Sequence, residues 1–393
     1  MEQLSAALWP FLVAGLVALA ATPLAARLAR AVGAVDHPKE RGLSDRATPS
    51  LGGLGILAGV LVAGLAFLDL DAQTRAILVG AVLIAAIGAV DDATDLAPGL
   101  KLLGQTTAAL LAVVFEVRVE NVTLPFIGAW YLGPLFGGAL TVLGMVAVMN
   151  IVNFTDGVDG LAAGVCTIAA LTFAVIALSL FRTDAGVLAA IVAGAAIGFL
   201  WHNWHPASVF MGDSGANLLG FLLACVAVQG VLKTAAVVAL VFPLVILAVP
   251  ILDTGFVVAK RIKYRRPVYS ADRWHFHHRF ANIGFSQRRT VVYLYGWTLA
   301  LAALALALRF VPYSDRGVYD PEWTLVLGGF GLVALAASVY LVYVLEILKF
   351  KRFRERQLRR APSPTGAEPT PAEIDEEIAR EVETGEFEAV GRE

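Results

Sequence analysis

The sequence predicts an all-α polytopic membrane protein, and three observations carry that prediction. The 393-residue chain is 58% hydrophobic and only 16% charged, with a mean hydropathy of +0.73. Apolar runs of about 20 residues, the length that crosses ~30 Å of hydrocarbon as a helix, recur along it. Its Lys and Arg residues gather in alternate loops, as the positive-inside rule requires of a multi-pass protein. These features exclude a soluble globular domain. The net charge is near neutral, at −2, and no nucleic-acid partner is expected.

Eleven candidate helices fall at residues 7–31, 51–68, 76–90, 102–116, 134–150, 161–181, 186–201, 216–232, 235–258, 291–310 and 323–348. The start, MEQLSAALWPF, lacks the basic region of a cleavable signal, so the first run reads as a retained span. The loop after it carries Arg27, Arg30, Lys39, Arg41 and Arg46. The loop 259–290 holds nine Lys or Arg residues, and seven more crowd residues 349–360, just after the last run. Loops of the other parity are mixed or acidic. With an odd number of spans, this places the protein in the plasma (or inner) membrane with its N-terminus outside and its C-terminus in the cytoplasm.

Between the fourth and fifth runs, VRVENVTLPFIGAWYLG (117–133) is β-branched and aromatic with Pro and Gly breaks, and reads as a small external β-hairpin. Residues 1–348 form the transmembrane domain. Residues 349–393 are a basic, then acidic, cytoplasmic tail, Pro- and Glu-rich from Ala361 and expected to be disordered, with one short helix near 371–383. Cys166 and Cys225 lie inside apolar runs and read as small core residues.

On this topology, every unusual polar cluster reaches the cytoplasmic face. The clusters are DHPKERGLSDRATPSLGG (36–53), AVDDATDLAPGLKLLGQ (89–105), NIVNFTDGVDG (150–160), WHNWHPASVFMGDSGANLLG (201–220) and RWHFHHRF (273–280). One such cluster is an ordinary solvated helix end. Five on one face point to a shared site.

Each cluster has a chemistry of its own. Asp91 and Asp92 are adjacent, so on a helix they point about 100° apart and cannot share one ligand symmetrically. Either one serves as a base while the other faces a cation or lysine, or both face solvent at a helix end. Lys101 reaches a phosphate or snorkels at the interface. Asn150, Asn153, Asp156 and Asp159 follow one another at intervals of three, one stripe of oxygen ligands if helical, and such a set suits Mg²⁺. The bland alternative is a polar turn in which Thr155 or Asp159 caps the next helix. Asp213, in MGDSG before a long apolar run, is either a further metal carboxylate beside an anion-binding helix end or a plain cap. His275, His277 and His278, flanked by Arg273 and Arg279, fit a basic loop gripping a diphosphate better than a zinc site, for which the spacing is poor. His37, His202 and His205 read as interface or packing residues. An acidic metal site beside a basic loop on the inner face of a membrane protein points to phosphoryl transfer involving a lipid.

At these residues the sequence resembles the polyprenyl-phosphate N-acetylhexosamine-1-phosphate transferase family. The ordered motifs are DHP…R…P.LGG, VDD…KLLGQ, NIVNFTDGVDGLAAG, FMGDSGANLLGF, and HFHHRF followed by NIGFSQRR, across roughly 36–290. The HFHH-Arg loop looks like the WecA/TagO branch rather than the related MraY branch, whose members use UDP-MurNAc-pentapeptide. The resemblance implies transfer of a sugar-1-phosphate, GlcNAc-1-phosphate foremost, from a UDP-sugar to undecaprenyl or another polyprenyl phosphate, with release of UMP. It implies Mg²⁺, or Mn²⁺ in its place, and a homodimer. Carried onto this chain, Asp91 or Asp92 would deprotonate or position the lipid phosphate, and Asp156 and Asp159, counted with the catalytic residues, would shape the metal and nucleotide pocket. Asn153 and Asp213 would contact the metal. Lys101, Asn150, Arg273, His275, His277, His278 and Arg279 would bind substrate. One departure stands out: where much of this branch has R-K-x-H, this chain has Arg41-Gly42-Leu43-Ser44. The rival class is a membrane transporter, for which the ionisable residues would lie at mid-membrane and the sequence would show a repeat.

Overall fold

The computed structural model describes residues 2–37, 47–124, 128–232, 241–263, 286–312, 314–315 and 318–343, with scattered positions between 370 and 380. Helices dominate: α1 (Glu2–Val32), α2 (Gly53–Phe67), α3 (Ala72–Thr94), α4 (Pro98–Val114), α5 (Gly133–Thr155), α6 (Leu161–Ser179), α7 (Thr183–Asn203) and α8 (Gly212–Val226). A π-helical turn, Ala227–Leu232, continues α8. After it come α9 (Val241–Ile246), α10 (Ala248–Lys263), α11 (Gln287–Phe310) and α12 (Pro321–Tyr343). Among the described residues, eight helices are long and apolar enough to cross a membrane, and α2 and α4 are shorter apolar helices. Each apolar run of the sequence holds a helix. The described part of run 235–258 holds two, α9 and α10, which part at Leu247. The segment after α4 pairs Asn121–Leu124 with Gly128–Tyr131 in an antiparallel ladder.

The bundle is organised around α8. Every residue from Ser214 to Val226 is buried, and α3, α5, α2 and α7 pack against it. Outward-facing Leu16 on α1 and Leu325 and Leu332 on α12 stay exposed, as lipid-facing side chains must in a protein whose backbone polar groups are satisfied within helices. Small residues set the closest helix contacts, because lipid offers apolar surface equal to that of any leucine and only close packing adds attraction. Gly194 and Gly198, four apart on α7, face α1. A Cβ there would stand 2.1 Å from the carbonyl oxygens of Phe11 and Gly15 respectively. Cys166 and Cys225 are free, buried thiols within this core.

Local signals fix the helix ends that matter. Asp71 caps α3 by accepting the Thr74 N–H at 2.7 Å. At the other end, Asp95 turns left-handed (φ 56°) and stops the helix. Pro98 opens α4, so the two helices reverse direction across three residues and Asp91, Asp92 and Lys101 end up at the same level. The α7–α8 loop is pinned to the segment before α2 by backbone hydrogen bonds from Phe210 N–H to Pro49, Gly52 N–H to Phe210 and Gly53 N–H to Met211.

Candidate active site

Four helix ends meet at one end of the bundle: the C-termini of α3 and α5 and the N-termini of α4 and α8. The Lys101 ammonium, on α4, lies 3.2 Å from Asp91 Oδ2 and also pairs with Asp213 Oδ2. Asn153, in the last turn of α5, donates from Nδ2 to Asp213 Oδ1 at 2.6 Å. Asp91 is oriented by the Leu96 N–H, which donates to its Oδ1 at 2.7 Å. A ring of Asp91, Lys101, Asp213 and Asn153 results, partly open to solvent: Lys101 and Asp213 keep 22% and 23% of their side-chain surface exposed.

Asp91 and Asp92 part company as neighbours on a helix must. Asp91 faces Lys101. Asp92 turns to α8, accepting the Asp213 N–H at 2.7 Å and the Ser214 N–H at 3.1 Å. These are orphan donors of a helix N-terminus, and a carboxylate from another helix satisfies both. Gly212 makes room for it. Its φ is +70°, and a Cβ there would sit 2.0 Å from Ser50 O and 2.4 Å from Asp92 Oδ2.

The segment 150–160 is neither one helix nor one turn. Asn150 and Asn153 ride on α5, the helix ends at Thr155, and Asp156 to Gly160 form a turn before α6. Thr155 Oγ1 donates back to Ile151 O, and Gly160 stands at the N-cap of α6, so neither Thr155 nor Asp159 caps it. Burial, with the Asp92 and Asp159 charges adding to it, pushes the Asp156 carboxyl up to about 7. Asp159 sits in the turn, its Oδ2 2.7 Å from His205 Nδ1 and accepting the Ala207 N–H at 3.0 Å.

That contact ties the turn to the α7–α8 loop. Gly160 N–H donates to Asn203 Oδ1, Asn203 Nδ2 donates to Val209 O, and Arg288 Nε donates to His205 O. Tyr295 of α11 donates its hydroxyl to Gly160 O. His205, read from the sequence as an interface or packing residue, is therefore the partner of Asp159. His202 does pack, with Nε2 3.0 Å from Leu19 O.

One turn deeper than the ring, three amides are linked. Gln105 Nε2 donates to Asn217 Oδ1, Asn150 Nδ2 donates to Gln105 Oε1, and Asn217 Nδ2 donates to the Asp213 carbonyl, each at 2.8 Å. Gln105 and Asn217 escaped the sequence reading. The signal was present: each lies four residues after a singled-out residue, Lys101 and Asp213, and so on the same helix face. Arg273, His275, His277, His278 and Arg279 lie outside the described residues, as does the Arg41–Ser44 stretch.

Residues 74–231, which contain the whole ring, match the family model described as glycosyl transferase family 4. Over 300 residues, 75% of this chain and 84% of the relative, the chain is 37% identical to a Bacillus subtilis (strain 168) protein described as a probable undecaprenyl-phosphate N-acetylglucosaminyl 1-phosphate transferase. The chain belongs to glycosyl transferase family 4. Within that family it is also similar to the decaprenyl-phosphate N-acetylglucosaminephosphotransferase of Mycobacterium leprae (strain TN), 33% identical over 84% of this chain and 89% of the relative. A phospho-N-acetylmuramoyl-pentapeptide-transferase of Desulforudis audaxviator (strain MP104C) is 35% identical over 68% of this chain and 86% of its own. The family-4 assignment fits a multi-pass membrane protein whose charged side chains converge at helix ends.

Proposed function

We propose that the chain transfers GlcNAc-1-phosphate from UDP-GlcNAc to undecaprenyl or another polyprenyl phosphate and releases UMP. The observation that carries this reading is the ring of Asp91, Lys101, Asn153 and Asp213, delivered by four helices to one end of a membrane bundle in a family-4 chain. The Bacillus and Mycobacterium relatives, described as acting with N-acetylglucosamine phosphate on undecaprenyl or decaprenyl phosphate, support the sugar and the lipid.

In the reaction, a lipid phosphate oxygen attacks the phosphorus that bears the sugar. A new P–O–P linkage forms, the bond to UMP breaks, and its electron pair leaves on the UMP phosphate. Both substrates are anions. The Lys101 ammonium and the N-terminus of α4 place positive charge where they would meet. Asp91, beside Lys101 and held by the Leu96 N–H, is the carboxylate placed to take a proton from the lipid phosphate or to orient it. Asp92 has both oxygens on α8 amides, so its role in this reading is to hold Asp213 in place.

The donor set suits Mg²⁺. Among the described residues, no three His, Cys, Asp or Glu side chains gather as a closed metal cage. The Asp213 carboxylate and the Asn153 amide oxygen are hard donors in an open site, the kind Mg²⁺ occupies together with phosphate and water. The two carboxylates that share the Lys101 ammonium support a site of negative charge there. When bound, Mg²⁺ would supply charge neutralisation on the diphosphate. The positive-inside charge pattern supports a cytoplasmic location for this end of the bundle and for the C-terminus.

The test uses purified protein, undecaprenyl phosphate, Mg²⁺ and radiolabelled UDP-GlcNAc, with chelated and Asp213→Ala samples beside it. Labelled lipid and UMP that vanish in both controls support the reading. Product only from UDP-MurNAc-pentapeptide would replace the sugar, and no turnover of any UDP-sugar by folded protein would refute the transferase.

A further inference from the structure

We propose that Gln105, Asn217 and Asn150 form a positioning layer that sets the register of α4, α8 and α5, so that Lys101, Asp213 and Asn153 converge. The argument starts from spacing. Gln105 follows Lys101 by four residues on α4, Asn217 follows Asp213 by four on α8, and Asn150 precedes Asn153 by three on α5. Residues three or four apart lie on one helix face, one above the other. Helices α4 and α8 start at the site and α5 ends there, so in all three the amide lies one turn further into the bundle. Each helix gives one residue to the ring and one to the layer beneath it.

The layer is closed by specific bonds. Gln105 and Asn217 are each 1% exposed, where an unpaired amide would be costly. Gln105 uses both ends of its amide, donating to Asn217 and accepting from Asn150. Asn150 also donates to Val146 O of its own helix, and Asn217 to the Asp213 carbonyl, both at 2.8 Å. Rotating any of the three helices by the ~100° of one residue would break the Gln105 pair and leave amides unpaired in an apolar core. None of the three reaches into the ring. Their effect on chemistry passes through Asp213, whose carbonyl Asn217 holds, and through the helices that carry Lys101 and Asn153.

This inference rests on the transferase reading above, and the experiment separates the two. Full-length protein in detergent is compared with Gln105→Met, with the single variants Gln105→Asn and Asn217→Gln, and with the swap carrying both. Three quantities are read: kcat and KM for each substrate, Mn²⁺ binding by electron paramagnetic resonance, and the thermal unfolding midpoint. The expected result for Gln105→Met is a fall in kcat of about 10- to 100-fold, the loss that a displacement near 1 Å causes, with both KM values little changed. Mn²⁺ binding weakens, and the midpoint falls by a few degrees, because Asn217 Oδ1 loses its buried donor and Asn150 Nδ2 loses one of its two acceptors. Each single length change lowers kcat, and the swap, which restores the summed length of the pair, recovers it. Wild-type kcat in Gln105→Met overturns the proposal. A kcat loss that follows a lowered midpoint, with unchanged Mn²⁺ binding and no recovery in the swap, also overturns it. If wild-type protein turns over no UDP-sugar but Gln105→Met still weakens Mn²⁺ binding, the transferase reading fails while the positioning layer stands.

Discussion

Asp92→Asn is the sharpest single test of how this site is held together. In the native chain one carboxylate accepts two helix-end amides, Asp213 N–H at 2.7 Å and Ser214 N–H at 3.1 Å. Asparagine keeps one acceptor oxygen and turns an NH₂ toward the other amide, so a donor faces a donor. Losing a hydrogen bond to a charged group costs roughly 1.5–3 kcal/mol, and removing a negative charge from a helix N-terminus costs about 0.3–1 kcal/mol more. The sum is about 2–4 kcal/mol, which at ~2 °C per kcal/mol for a large chain lowers the unfolding midpoint by about 4–8 °C. The assay is thermal unfolding in detergent, read by loss of the monodisperse species on size exclusion. A midpoint within about 1 °C of wild type, together with lost turnover, would show that Asp92 serves the reaction and not the fold of α8, and would refute the reasoning.

Three further outcomes are expected. Asp156 binds its proton more tightly folded than unfolded, so its contribution to stability is complete below pH 4 and is lost as pH rises through about 7. In metal-free buffer Asp156→Asn should therefore narrow the gap in unfolding midpoint between pH 5 and pH 8, and an unchanged gap would count against a buried proton there. Gly194→Ala puts a Cβ 2.1 Å from Phe11 O, which forces α1 and α7 apart at a cost of about 1–3 kcal/mol, measured as a lower midpoint. Lys101→Gln should leave the fold intact and reduce kcat by at least about tenfold, since only a cation neutralises the carboxylates and phosphates that meet there; equal turnover would remove Lys101 from the site.

The sequence by itself determined the membrane-helical class, the places of the apolar helices and the family, because hydropathy and motif order are linear properties. It also named every residue of the ring, Asp91, Lys101, Asn153 and Asp213, since charged and amide residues at helix ends stand out against apolar runs. Only the tertiary structure decided what each of them faces. Asp91 and Asp92 look alike in the sequence, yet one meets a lysine and the other a helix N-terminus, because a helix turns about 100° per residue and neighbouring side chains enter different surroundings. Gln105 and Asn217 pair across 112 positions of chain, and Asp159 finds His205 across 46. Such partnerships depend on which helices pack side by side, and that is settled by close contacts such as those of Gly194 and Gly198 with α1 rather than by anything local to the amides themselves.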